Sequence, residues 1–87
     1  MNNLQRNPKI RWRREVDEVC LYIPKNREMK KLNNVGASVW ELCDGSLDSK
    51  EIIEEVSKEF DVEANEIKSD VEDFINQLIQ LDLLKEA

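Results

Sequence analysis

The sequence predicts an α+β fold of winged-helix-like layout, a three-stranded antiparallel β-meander followed by a three-helix bundle. Two observations carry this. Apolar residues alternate as far as Leu32, and from Asn33 onward they recur with helical spacing. A third supports it: 87 residues contain only two Gly and two Pro, with 40% hydrophobic and 37% charged residues, a composition rich in helix formers. A chain of this length forms one domain and buries roughly 60% of its unfolded surface, enough for a core but not for a deep catalytic cleft.

The alternating part contains IRWRREV (Ile10 to Val16), VCLYI (Val19 to Ile23) and REMKKL (Arg27 to Leu32). Each reads as a short strand, the first two carrying β-branched and aromatic residues and the third setting Met29 and Leu32 among charged ones. Asp17-Glu18 and Pro24-Lys25-Asn26 lie between them, polar connections of hairpin length and chemistry. Residues 1–9 are expected to form a flexible N-terminus around Pro8, and residues 10–87 the folded domain, with strands within 10–32 and helices within 33–82.

The helical part can be read from its caps. Asn33 is a suitable N-cap after Leu32, and Gly45 after Asp44 a suitable stop. Asp48 and Glu51 have the spacing of a capping box, with Leu47 and Ile52 placed to staple the same turn. Ile52, Ile53, Val56 and Phe60 form the apolar face of this second helix. Glu63 is a weaker cap for a third helix, whose stripe is Ile67, Val71, Phe74, Ile75 and Leu78. That helix should end near Leu81 or Asp82, leaving Leu83 and Leu84 to pack back on the core.

Charge is distributed unevenly. Residues 1–31 carry nine Lys/Arg against four Asp/Glu, net +5, and residues 32–87 carry four against fifteen, net −11, which sum to the chain's −6. The basic and acidic halves coincide with the strand and helix layers. The third helix, with an acidic surplus and Lys68 as its lone cation, is a poor reader of a phosphate backbone, which argues against nucleic acid as the partner.

Catalysis finds little support. There is no histidine, so no imidazole base, no Ser-His or Cys-His dyad and no His ligand. Gly36 and Gly45 stand alone, without a phosphate loop. Cys20 and Cys43 lack the CxxC or His partners of a zinc site and read as reduced, half-buried thiols. No metal or cofactor is expected. The sequence contains no apolar run of about 18 residues and MNNLQRNPK lacks the centre of a signal peptide, so no membrane association and a cytoplasmic location are the expectations.

The stretch LNNVGASVWELCDG, with the helices after it, resembles the PqqD-like family of peptide-binding modules, the RiPP recognition elements. The residues that carry the resemblance are Leu32, Asn33, Gly36, Ala37, Val39, Trp40, Leu42, Asp44, Gly45, Ile52 and Ile53, followed by Asp70-Val71, Phe74-Ile75, Leu78 and the terminal Leu-Leu pair. Most also have packing duties: Asn33 caps, Gly36 and Ala37 permit close approach to a neighbouring backbone, Trp40 fills the core, and Asp44-Gly45 turns the chain. Asp82 departs from the pattern, since similar sequences often have Gly in that turn, and Asp is less tolerant of left-handed geometry.

The resemblance implies a non-catalytic chaperone that binds the leader of a ribosomally made precursor peptide and presents it to a maturation enzyme, commonly a radical SAM enzyme. The chain itself offers an edge for strand addition in Arg27, Glu28, Met29, Lys30, Lys31 and Leu32, with Met29 and Lys31 on one face and Lys30 and Leu32 on the other. By the family's architecture the third helix is the second wall, making Asp70, Val71, Phe74, Gln77 and Leu78 the candidate peptide-binding residues there. A monomer or weak dimer is expected. Two other classes stay open at this point: a winged-helix-like regulator that binds nucleic acid, and a structural or dimerisation module using the same strand edge.

Overall fold

The computed structural model describes residues 2–86. Met1 and Ala87, the outer ends of the expected N-terminal segment and of the domain, lie outside the described residues. The elements in chain order are β1 (Leu4–Arg6), β2 (Arg11–Arg14), β3 (Glu18–Ile23), β4 (Glu28–Asn33), α1 (Asn34–Leu42), α2 (Ser49–Phe60), α3 (Ala64–Gln80) and β5 (Leu84–Glu86).

Strands β2, β3 and β4 form the antiparallel meander, with β4 at one edge. The register is uninterrupted, from Arg14↔Val19 to Arg11↔Tyr22 on one side of β3 and from Glu18↔Asn33 to Ile23↔Glu28 on the other. Alternation turns Val19, Leu21 and Leu32 into the core, where they join Val39 and Trp40 of α1. Trp12 meets Trp40 edge-to-face, with ring centroids 6.2 Å apart. Ile52, Val56, Val71, Ile75 and Leu78 bring the apolar faces of α2 and α3 onto the same core.

Residues 4–6 are not frayed. Leu4–Arg6 is a strand, paired antiparallel with β5 in a second, two-stranded sheet. The Leu4 amide donates to Leu47 O and its carbonyl accepts from the Gly45 amide, both at 2.9 Å, while the Arg6 amide donates to Cys43 O at 2.9 Å. Leu4 is 3% exposed. The expectation failed because a three-residue strand with one apolar side chain has no readable period, and its partner is at the far end of the chain. Arg6 then donates from its guanidinium to Glu41 O (2.7 Å), at the open end of α1, and to Trp40 O (3.0 Å), which also accepts from the Cys43 amide, and lies over the Trp12 ring.

The caps follow the sequence with two differences. Asp48 and Glu51 form the capping box, as expected. Asn33 stands at the N-cap of α1 in extended geometry, but its side chain makes no cap hydrogen bond; Asn34 instead turns the chain with φ +42°. Glu63, the weak cap, likewise makes no side-chain bond. At the end of α3, Asp82 adopts φ +62° where Gly would be unstrained. The bonds Asp82 N→Ile79 O (3.0 Å) and Leu83 N→Leu78 O (2.9 Å) form a Schellman motif, and Asn7 Nδ2 donates to Asp82 O at 2.8 Å. Leu83 and Leu84 pack inward at 0% and 1% exposure.

Candidate functional site

The backbone of β4 decides what its edge can offer. Between antiparallel strands, alternate residues direct both N–H and C=O to the same neighbour. Glu15 N donates to Glu18 O at 2.8 Å, so Glu18 faces β2, and in the unbroken register Val19, Leu21 and Ile23 face β4. Their partners Leu32, Lys30 and Glu28 therefore use their backbone groups inside the sheet. The weaker Asn34 N→Asp17 O bond, at 3.4 Å, has the same parity. Met29 and Lys31 are left with N–H and C=O pointing away from β3, to the free edge.

The space beside that edge is walled by α3. One recess, of about 280 Å³, is lined by Lys30, Lys31, Leu32, Gly36, Val71 and Phe74, with Asn33, Val35 and Asp70 completing it. A wider recess, of about 760 Å³, lies toward the β3–β4 hairpin and includes Ile10, Ile23, Met29, Lys30, Leu81 and Leu83. Lys30 borders both. Both lie along β4, the first against Asp70, Val71 and Phe74 of α3 and the second against Gln80 at its end and Leu81 to Leu83 beyond it.

Gly36 opens the first recess. A Cβ there would stand 3.3 Å from Phe74 Cζ and 3.6 Å from Leu32 Cβ. The close approach is thus to side chains of α3 and β4, where the sequence had suggested a neighbouring backbone. Met29 and Leu81, 61% and 50% exposed, are large apolar side chains left open to solvent beside the second recess. Isolated exposed apolar groups are ordinary, but two bordering one groove mark a surface able to bury apolar partners.

The sequence candidates sort as follows. Lys30, Lys31, Leu32, Asp70, Val71 and Phe74 are brought together at the first recess, and Glu28, Met29 and Lys30 at the second. Arg27 is not in the strand; it is an exposed turn residue with φ +56°, because the hairpin needs a left-handed position there. Leu78 is fully buried and belongs to the core, so its side chain is not on the groove surface. Gln77 is exposed and lines neither recess. Sequence reasoning missed Val35, Ile23, Pro24 and Leu81 as wall residues. The isolated apolar Leu81, one turn beyond Gln77 and outside the buried stripe, was the available signal.

The outer face of the meander carries a small polar cluster. The Cys20 thiol donates to Glu15 Oε1 at 3.1 Å. That bond, with Arg13 nearby, holds the Glu15 carboxyl below its usual range, and the same bond together with burial raises the Cys20 thiol. Cys43, sealed under α1, is pushed up to about 12 by burial. Both cysteines are buried and free, more enclosed than the half-buried thiols expected. Among the described residues no group of three or more His, Cys, Asp and Glu could hold a metal ion, and no helix is long and apolar enough to cross a membrane.

The family described as coenzyme PQQ synthesis protein D (PqqD) matches residues 18–84, from the start of β3 into β5. No curated protein sequence matches the chain. Among solved structures, TbiB1 in complex with the TbiA(beta) leader peptide is similar, with a TM-score of 0.81 and 23% identity, over 93% of this chain and 94% of that one. This likeness establishes the shared fold.

Proposed function

The chain belongs to the PqqD family, and from that premise we propose that it is a non-catalytic peptide-binding module, a RiPP recognition element. It captures the leader of a ribosomally made precursor peptide as an added strand on β4. The observation that carries this reading is the pairing of a free strand edge at Met29 and Lys31 with a groove walled by α3. The edge supplies main-chain hydrogen bonds without regard to sequence, and the groove supplies selection. The structurally similar TbiB1 was solved with a leader peptide, which supports the same class of ligand here.

On this reading its part in modification is positional. By holding the leader it raises the effective concentration of the precursor at a maturation enzyme, for which a radical SAM enzyme is the class we propose. Such work belongs in the cytoplasm, where precursors are made.

Proline scanning of β4 tests strand addition. Met29→Pro and Lys31→Pro each remove an outward N–H and should stay folded while losing leader affinity. Lys30→Pro removes an N–H bonded to β3 and should lower stability. Unchanged leader binding by both folded outward variants would reject the β4 edge.

A further inference from the structure

Resting on the strand-addition reading, we propose that the groove selects a leader segment of pattern apolar-x-acid-x-apolar, with the central carboxylate held by Lys30. In a strand added to β4, alternate side chains face α3, and the inner positions are those beside Leu32, Lys30 and Glu28. The residue beside Leu32 enters the first recess, between Phe74 and Val35. The residue beside Glu28 enters the second, against Ile23, Leu81 and Leu83. The residue between them meets Lys30.

Lys30 is half-buried, borders both recesses, and among the described residues has no ion pair and no side-chain hydrogen bond. A partly desolvated ammonium without a partner is a poor occupant of an apolar groove unless the ligand brings the countercharge. The two linings together carry Lys9, Lys25, Lys30 and Lys31 against Glu28, Asp70 and Asp82, net +1 in a chain of net −6. Lys31 reaches the first recess from the opposite face of the strand and is exposed, so Lys30 is the ammonium between the two recesses. The pattern is symmetric about its centre, so it holds whether the added strand runs parallel or antiparallel to β4.

A displayed library of random peptides, selected on the full chain, tests this. The expected enrichment is Asp or Glu at one position, with apolar residues two places to each side. Replacing that acid by Gln in a synthetic peptide should weaken binding about tenfold, as expected for a charge-assisted bond. Selection on Lys30→Glu should enrich Lys or Arg at the centre, and selection on Lys31→Glu should keep the acid. Enrichment without a central acid, or a charge preference that follows Lys31, overturns this inference while leaving strand addition standing. Peptides that bind Lys31→Pro as well as the parent overturn strand addition itself, and the inference with it.

Discussion

Gly36→Ala separates the groove from the fold, because its two effects have opposite signs. Gly36 is inside α1, where alanine favours the helix by about 1 kcal/mol. The new methyl meets Phe74 Cζ at 3.3 Å, a contact that requires the ring to give by a few tenths of an ångström. Phe74 is only half-buried and borders the open recess, so it can move at small cost. The balance is a gain of about 0.5 kcal/mol, or a rise in Tm of about 2–4 °C for a domain of this size. The displaced ring narrows the first recess and removes apolar contact of the order of one methylene from a bound peptide. That loss is about 0.8 kcal/mol, or roughly fourfold in Kd. Thermal denaturation followed by circular dichroism, with fluorescence anisotropy of a selected peptide, reads both effects. A fall in Tm would show that Phe74 is held rigidly, and unchanged affinity would remove the Phe74 recess from the site.

Other outcomes follow from the packing. Leu4→Ala should cost about 2–5 kcal/mol in urea unfolding, since Leu4 is buried in the core rather than frayed. Arg6→Ala should cost about 1–3 kcal/mol by removing donors to Trp40 O and Glu41 O, and Arg6→Lys should restore only part of it. Asp48→Ala, which opens the capping box of α2, should cost about 1 kcal/mol without changing leader affinity. Cys43 gives a pH signature: its folded pKa of about 12 exceeds the unfolded thiol value, so the unfolded chain ionises first as pH rises. Its contribution is intact below about pH 8.5 and is lost between there and pH 12, with a slope of at most about 1.4 kcal/mol per pH unit. Chemical denaturation across that window should show a shallower decline in Cys43→Ala than in the parent.

Much of the fold was legible because its signals were local. The change of period at Asn33 marks the passage from sheet to helices, and Asp48 and Glu51 announce α2 through a box closed within three residues. Leu83 and Leu84 were expected in the core and are there. What escaped the sequence was non-local. Strand β1 exists because Leu4–Arg6 meets Leu84–Glu86, and neither segment alone has a strand's pattern. The site was half legible for the same reason. The edge strand follows from alternation, and the α3 wall is what the family resemblance implied; helical spacing sets Asp70, Val71 and Phe74 on or beside one stripe, yet a 3.6-residue stripe does not say where core ends and groove begins. Leu78 fell on the core side of that line and Leu81 on the open side. The parity of β4, which distinguishes Met29 and Lys31 from Lys30, is set by pairing with β3 and so appears only in the structure.

Residue-resolved amide hydrogen exchange on β4, with and without a bound leader, tests strand addition most directly. In the free protein the Lys30 amide should be protected by β3, while the Met29 and Lys31 amides exchange rapidly. Leader binding should slow Met29 and Lys31 selectively, giving protection along the strand, with the Lys30 amide protected throughout. Saturating leader that leaves Met29 and Lys31 exchanging as fast as in the free protein would contradict the account, because no strand would then be paired to this edge.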